Sequence, residues 1–402
     1  MPITVDRSEF PILITDAQTV AGLACLRSLS RAGYPVHVIG ESLDMLCFDS
    51  ACKFSSSLCP PYSSAEFPEW CLNFCESHKI RLVLPTERFL LALGSKLEHL
   101  MPLLHARVSL ETLKLSLSKI RLFDAFSKAT DDRLRANLPA FHVASLDSHQ
   151  LTRDAVGGWK SPYFIKCDVL EARAGAAAQV IRVESFTELD ETLKRLSPDY
   201  RRVLIQEYSE GRGAGAFMLR WDKKLVARLM HQRLHEVPHT GGHSSLRETC
   251  LDETLFADAL HRAEFLNWEG PAMFEYRQDP QSGVFRLLEL NARFWGSLHL
   301  ALYAGVDFPL KLADLARGAQ VTPQAEYPLG VIARLTVPAE IQHTWSYLKD
   351  KNVHFSKKIS KLVEFFLLFL RPGFGDDLFY PGDRRVFFRT LRKYFLSFFN
   401  KR

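Results

Sequence analysis

The sequence predicts an α/β fold that opens with a parallel sheet, continues into an α+β part and closes with a helical tail. Three observations carry this. A short apolar strand at residues 11–15, a helically spaced stretch from 17 to 32 ending at Gly33, and a second strand at 36–40 make a β-α-β unit, the building block of parallel sheets. Two later apolar runs, residues 273–276 and 287–290, flank a segment whose Asp279, Pro280 and Gly283 suit a hairpin connection. A chain of 402 residues with 47% apolar content can also bury a large core and should divide into more than one domain or subdomain.

The elements follow in order. The turn after the first strand, residues 15–22, lacks the G-x-G-x-x-G spacing that brings backbone onto a dinucleotide, which disfavours a Rossmann dehydrogenase. Residues 81–87 form a later strand that runs into a helix start. Thr86 and Glu87 there occupy the place beyond a strand end where open α/β sheets bind ligands, and Thr86 equally suits a helix cap. A helix is expected over 116–129, with Phe123 and Phe126 on its core face and Lys119 solvated by default. Residues 163–167 read as an apolar strand. Its Lys166 is costly to bury without an anion beside it. Glu171 to Ala178, with Gly175, reads as a loop of small residues; Ser185 and Glu188 have capping-box spacing; residues 203–208 form a strand ending at Ser209, Glu210 and Gly211. Four histidines, 231, 235, 239 and 243, recur at intervals of four, but Pro238, Gly241 and Gly242 break any helix that would align them on a metal.

The hairpin of residues 273–291 holds the chemistry. Pairing its strands brings Glu275 and Glu289 together, and two buried carboxylates repel unless a cation lies between them. Mg²⁺, which takes oxygen ligands and shares them with phosphates, suits Glu275, Glu289 and the carbonyl of Asn291. Arg293, on the same face by period-two counting, points at the anion such a metal carries.

The run E-x-N-x-R-F-W-G-S from Glu289 to Ser297, continued by Gly305, Val306, Asp307, Phe308 and Pro309, resembles the C-terminal motif of the ATP-grasp superfamily, in the carboligase branch similar to carbamoyl-phosphate synthase and biotin carboxylase. The likeness extends from about residue 10 to 310. It implies a parallel-sheet domain over 1–112 that contributes to the substrate side, and a two-lobed ATP-grasp domain over 113–320. Within the latter, 113–205 form the linker helix and small lobe and 206–320 the large lobe; residues 321–402 are a C-terminal extension. The resemblance makes Glu275, Glu289 and Asn291 the ligands of Mg²⁺, with Mn²⁺ as an alternative ion. It places Lys119, Lys166 and the 171–178 loop on the ATP phosphates, and Gln206, Glu207 and Tyr208 at the adenine. Glu210 is the acidic group nearest the ribose position, since Arg212 follows Gly211 where many family members have an acid. The segment 233–244 is similar to the carboligase pattern R-x-x-E-x-P-x-x-G-G-x-S, with Arg233 facing phosphate and Glu236 orienting it. The implied activity is an ATP-dependent carboxylate–amine ligase acting through an acyl phosphate on small carboxylate and amine substrates, with Arg293, Arg233 and Lys166 as catalytic groups. A catalytically silent ATP-binding regulator and a membrane-peripheral enzyme acting on an envelope-linked substrate are the alternatives.

Composition narrows the setting. No apolar, uncharged run of about 18 residues occurs, and the first nine residues contain acids and no apolar signal core, so secretion by a standard signal is not expected. Eight cysteines without a C-x-x-C pair read as reduced thiols of a cytoplasmic protein. The formal charge of +5 is local: residues 357–402 carry eleven Lys or Arg against four Asp or Glu, a net of +7, leaving −2 for the rest. No nucleic-acid partner is expected, because no dedicated module accompanies this basicity. Residues 384–402 can be wound as an amphipathic, Phe-rich helix that either docks on the protein or touches a membrane surface.

Overall fold

The structure, a computed structural model, describes residues 4–147, 151–173, 176–370 and 374–399. The chain first builds a parallel sheet of β1 (Ile12–Ile14), β2 (Val36–Gly40), β3 (Ser55–Leu58) and β4 (Leu82–Leu84), in the order β3-β2-β1-β4. The helix Val20–Arg31 crosses from β1 to β2, as the apolar spacing implied. It starts where the Thr19 hydroxyl accepts the Gly22 amide at 3.1 Å. Thr86 does cap a helix, accepting the Phe89 amide at 3.2 Å.

The helix expected over 116–129 is Lys119–Lys128, and a separate helix, Leu110–Ser116, precedes it. Ser118 makes the break: its hydroxyl accepts the Arg121 amide and donates to buried Asp168 at 2.6 Å, so a new N-terminus starts there. Lys119 therefore stands at the mouth of a helix rather than on its flank.

An antiparallel sheet follows, made of β5 (Phe141–Ser145), β6 (Tyr163–Cys167), β7 (Gln179–Val183) and β8 (Arg202–Glu207) in the order β5-β8-β6-β7. The helix Phe186–Leu196 covers it, with Ser185 accepting the Glu188 amide. Within the loop after β6, Ala174 and Gly175 lie outside the described residues.

The largest sheet has seven strands: β9 (Arg212–Trp221), β10 (Lys224–Val237), β11 (His243–Cys250), β12 (Gly270–Gln278), β13 (Phe285–Asn291), β14 (Ile332–Arg334) and β15 (Gly375–Asp376), ordered β13-β12-β9-β10-β11-β14-β15. Asp222 and Lys223, both at positive φ, make the two-residue turn between β9 and β10. The turn after β12 is held by Asp279, whose carboxylate accepts the Gln281 amide and the Ser282 hydroxyl. Gly211 admits no side chain: it sits at φ +112°, and a Cβ would lie 2.2 Å from the Gln278 carbonyl oxygen.

β14 and β15 extend the large sheet, and beyond them Asp383 meets Arg27 of the N-terminal domain at 2.8 Å, both side chains fully buried. One face of the helix Arg385–Phe399 packs on the N-terminal domain through Val386, Phe387 and Leu391, while Arg385, Arg389 and Lys393 grip the backbone and carboxylate around Asp49.

Candidate active site

β12 and β13 pair so that Glu275 lies directly opposite Glu289, and on its other side Glu275 faces Gly215 of β9. Each carboxylate has found a cation. Lys119 Nζ lies 3.0 Å from Glu289 Oε2, and Arg233 NH2 lies 2.7 Å from Glu275 Oε2. Asn291 joins the group, donating from Nδ2 to Glu289 at 3.2 Å and accepting from Arg293 on Oδ1 at 3.0 Å. Lys166 reaches in from β6 and donates to the Leu288 carbonyl at 2.9 Å.

Burial and these pairings set the electrostatics of the cluster. Burial lowers the Lys166 ammonium from 10.5 to about 8, with Lys119 adding repulsion and Glu289 opposing the fall. Burial also raises Glu275 above the usual carboxylate range against the pull of Arg233. Burial pushes Glu289 the same way, but Lys119 and Lys166 outweigh it and hold that carboxyl low. Attraction to Glu289 in turn raises Lys119.

Arg233 starts on β10 and must cross β9 to reach Glu275 on β12. Gly213 clears the way: a Cβ there would lie 2.4 Å from Arg233 Cδ and 2.8 Å from Glu236 Oε1. Glu236 holds the same guanidinium at 3.3 Å and also binds Arg277 at 3.0 Å, which anchors the pair. The segment containing Arg233 is strand up to Val237 and turns only between Pro238 and Gly242. A bulge at His235 and the turn at residues 238–242 disperse the four histidines, which an unbroken strand would keep on one face. His235 is held between Glu340 and Glu364, His239 binds Ser346 and Asp350, and buried His231 packs edge-on against Phe217.

Two cavities meet at this cluster. One, of about 520 Å³, lies between the four-stranded antiparallel sheet and the large sheet; Phe164, Lys166, Gln206, Glu207, Tyr208 and Ser209 line its far side. The other, of about 600 Å³, lies between the N-terminal domain and the large sheet. Arg233, His243, Glu275 and Glu289 line both. Asn291 and Arg293 line the second. Glu210 is exposed and lines neither.

The second cavity contains an acid that sequence reasoning did not single out, Asp16, beside Glu87, which it had placed beyond a strand end. Asp16, at the end of β1, accepts hydrogen bonds from Gln18 and Tyr62 at 3.0 and 3.2 Å and faces Arg88. Its positive φ of 53°, unusual for a non-glycine residue, turns it out of the sheet, and Asp tolerates that conformation; this is the one local signal that a sequence could have offered. Glu87, from the end of β4, lies 3.6 Å from Arg293 Nε. Met273, Phe294, Trp295 and Leu335 supply an apolar wall.

The donor set fits magnesium and a nucleotide. Two carboxylates face each other from neighbouring strands beside the Asn291 amide, whose carbonyl is turned to Arg293, with Lys119 and Lys166 close by, and among the described residues no group of three or more His, Cys, Asp or Glu forms an all-protein cage. That suits an ion that completes its shell with phosphate and water.

Comparison with known proteins agrees with this architecture. The family model of "ATP-grasp in the biosynthetic pathway with Ter operon" matches residues 199–336. Among solved structures, N5-carboxyaminoimidazole synthetase from Staphylococcus aureus, complexed with ADP, superposes with a TM-score of 0.59 at 15% identity, covering 81% of this chain and 82% of that one. Biotin carboxylase from Campylobacter jejuni gives 0.57 at 16% identity, covering 80% and 74%. L-amino acid ligase from Bacillus licheniformis gives 0.56 at 15%, covering 79% and 76%. Comparison with curated protein sequences finds no match. The fold is that of the ATP-grasp proteins, and the family model's match over residues 199–336 agrees with it.

Proposed function

We propose that the protein is an ATP-dependent ligase that joins a small carboxylate to an amine and releases ADP and phosphate. The observation that carries this reading is the wall shared by the two cavities. Arg233, Glu275 and Glu289 face both, so a nucleotide in one cleft and a second substrate in the other would meet across them. That the same fold serves an L-amino acid ligase and an N5-carboxyaminoimidazole synthetase supports a ligation.

In this reading Gln206, Glu207 and Tyr208 border the nucleotide's base and Lys166 holds its phosphates, while Lys119, which lines neither cavity, reaches them through its place beside Glu289. Glu275, Glu289 and Asn291 would hold Mg²⁺, which neutralises and orients the transferred phosphate. An oxygen of the substrate carboxylate attacks the γ-phosphorus, the bond to the β-bridging oxygen breaks, and ADP leaves with that electron pair. Arg293 and Arg233 stabilise the charge on the resulting acyl phosphate. The amine then attacks the acyl carbon, the bond to the phosphate oxygen breaks, and the amine's proton passes to solvent. Asp16 and Glu87, paired with Arg88 and Arg293, give the second cavity carboxylates and guanidinium groups that suit a substrate bearing both an ammonium and a carboxylate. Catalysis rests on positioning and charge rather than on a protein nucleophile.

The test is ADP release from Mg-ATP by the purified protein across a panel of amino acids and small carboxylates, with Glu289→Ala in parallel. Substrate-dependent release that falls about a thousandfold in the variant is expected. Turnover retained by Glu289→Ala overturns the metal assignment, and nucleotide binding without release on any substrate overturns the ligase reading.

A further inference from the structure

We propose that the C-terminal helices seat this protein on an anionic lipid bilayer. The inference does not depend on the ligase reading. The helix Phe355–Leu367 turns an apolar stripe outward: Phe355, Ile359, Val363, Phe366 and Leu367, continued by Leu370, fall at helical spacing and are between 44 and 78% exposed. On the helix Arg385–Phe399, the face opposite the docked one presents Phe388, Phe395 and Leu396, each about half exposed or more, around exposed Arg392.

Charge selects the occupant. All four acids between 357 and 402 are turned inward or already paired. Asp377 and Asp383 are buried against Arg247 and Arg27, and Asp376 accepts the Leu378 and Phe379 amides. Glu364 is held by Lys361 and His235. The cations divide differently. Arg385, Arg389 and Lys393 are spent on the ground around Asp49, whereas Lys357, Arg384 and Arg392 remain exposed and make no ion pair among the described residues. Arg384 lies over the Phe379 ring at 4.7 Å.

The outward faces thus present aromatic and aliphatic side chains with positive charge alone, the composition of a helix lying in an anionic headgroup layer. Such contact is peripheral, because no helix among the described residues is long and apolar enough to cross a membrane.

The experiment is flotation of the full chain, without nucleotide, with phosphatidylcholine vesicles containing roughly 30% phosphatidylglycerol and with pure phosphatidylcholine vesicles. Binding to the anionic vesicles alone, weakened by salt, is expected. Arg384→Glu with Arg392→Glu should reduce partitioning at least about tenfold, as should Phe366→Ser with Phe388→Ser. These positions are exposed, so unchanged melting curves check that the variants fold. Absence of flotation, equal flotation with neutral vesicles, or variants that bind as well as the parent would each overturn the proposal. So would a concentration-dependent dimer that the Phe→Ser pair abolishes while no vesicle is bound, since the faces would then pair two copies of this chain.

Discussion

Raising the pH should loosen the protein's hold on nucleotide, and Lys166 sets where. Its ammonium is buried and titrates near 8 in the ligand-free site, chiefly because it has lost its water. Only the protonated form attracts a phosphate, and a bound phosphate returns the ammonium toward its ordinary range. Binding above pH 8 must therefore take up a proton. Affinity is full below that pH and falls as pH rises through it. About nine-tenths of the protein carries the proton at pH 7 and about one-tenth at pH 9, so the apparent Kd for Mg-ADP rises about tenfold across that interval. Titration calorimetry at both values, in buffers of different ionisation enthalpy, reads the affinity and the proton uptake together. Lys166→Arg keeps its charge throughout and should flatten the profile. Equal affinity of the parent at pH 7 and 9, or an undiminished slope in the Arg variant, would refute the argument.

The same burial should weigh on stability. A fall from 10.5 to about 8 corresponds to about 3 kcal/mol of unfavourable charge, full below pH 8 and relieved as pH climbs toward the unfolded-state value. Lys166→Met should therefore raise the Tm by about 2–4 °C at pH 7, with the gap to the parent closing at higher pH, while nucleotide binding is lost. Gly213→Ala places a methyl against the Arg233 side chain, whose flexible end can move. It should lower kcat/KM by about 10- to 100-fold with a stability change within about 1 kcal/mol, read by steady-state kinetics and urea unfolding. Asp383→Ala strands Arg27 in the core, with an expected loss of about 3–5 kcal/mol and faster proteolysis between residues 377 and 399.

What could be read from the sequence was local. The hairpin of β12 and β13 announced itself by apolar runs and an Asp-Pro-Gly turn, and the period of two then placed Glu275 across from Glu289 and Arg293 beside Asn291. Lys166 stood out because a lysine in an apolar strand needs a reason to be there. Lys119 did not. On one helix it looks like an ordinary solvated residue, and only Ser118, bonded to Asp168 some fifty residues on, starts the new helix that aims it at Glu289. Asp16 was equally silent, since it meets its cavity through strand ends brought together by the packing of separate sheets.

The tail divides along the same line. Its amphipathic period was legible, but which face would dock depended on Arg27, more than three hundred residues earlier, and on the pocket that buries it against Asp383. The sequence by itself therefore determined the fold class, the facing carboxylates Glu275 and Glu289 and the buried Lys166, because backbone pairing and side-chain alternation are set by neighbours in the chain. Tertiary structure alone decided which cation each carboxylate meets, where the second cavity opens and which faces of the last helices remain outside, because those depend on contacts between segments that no local period records.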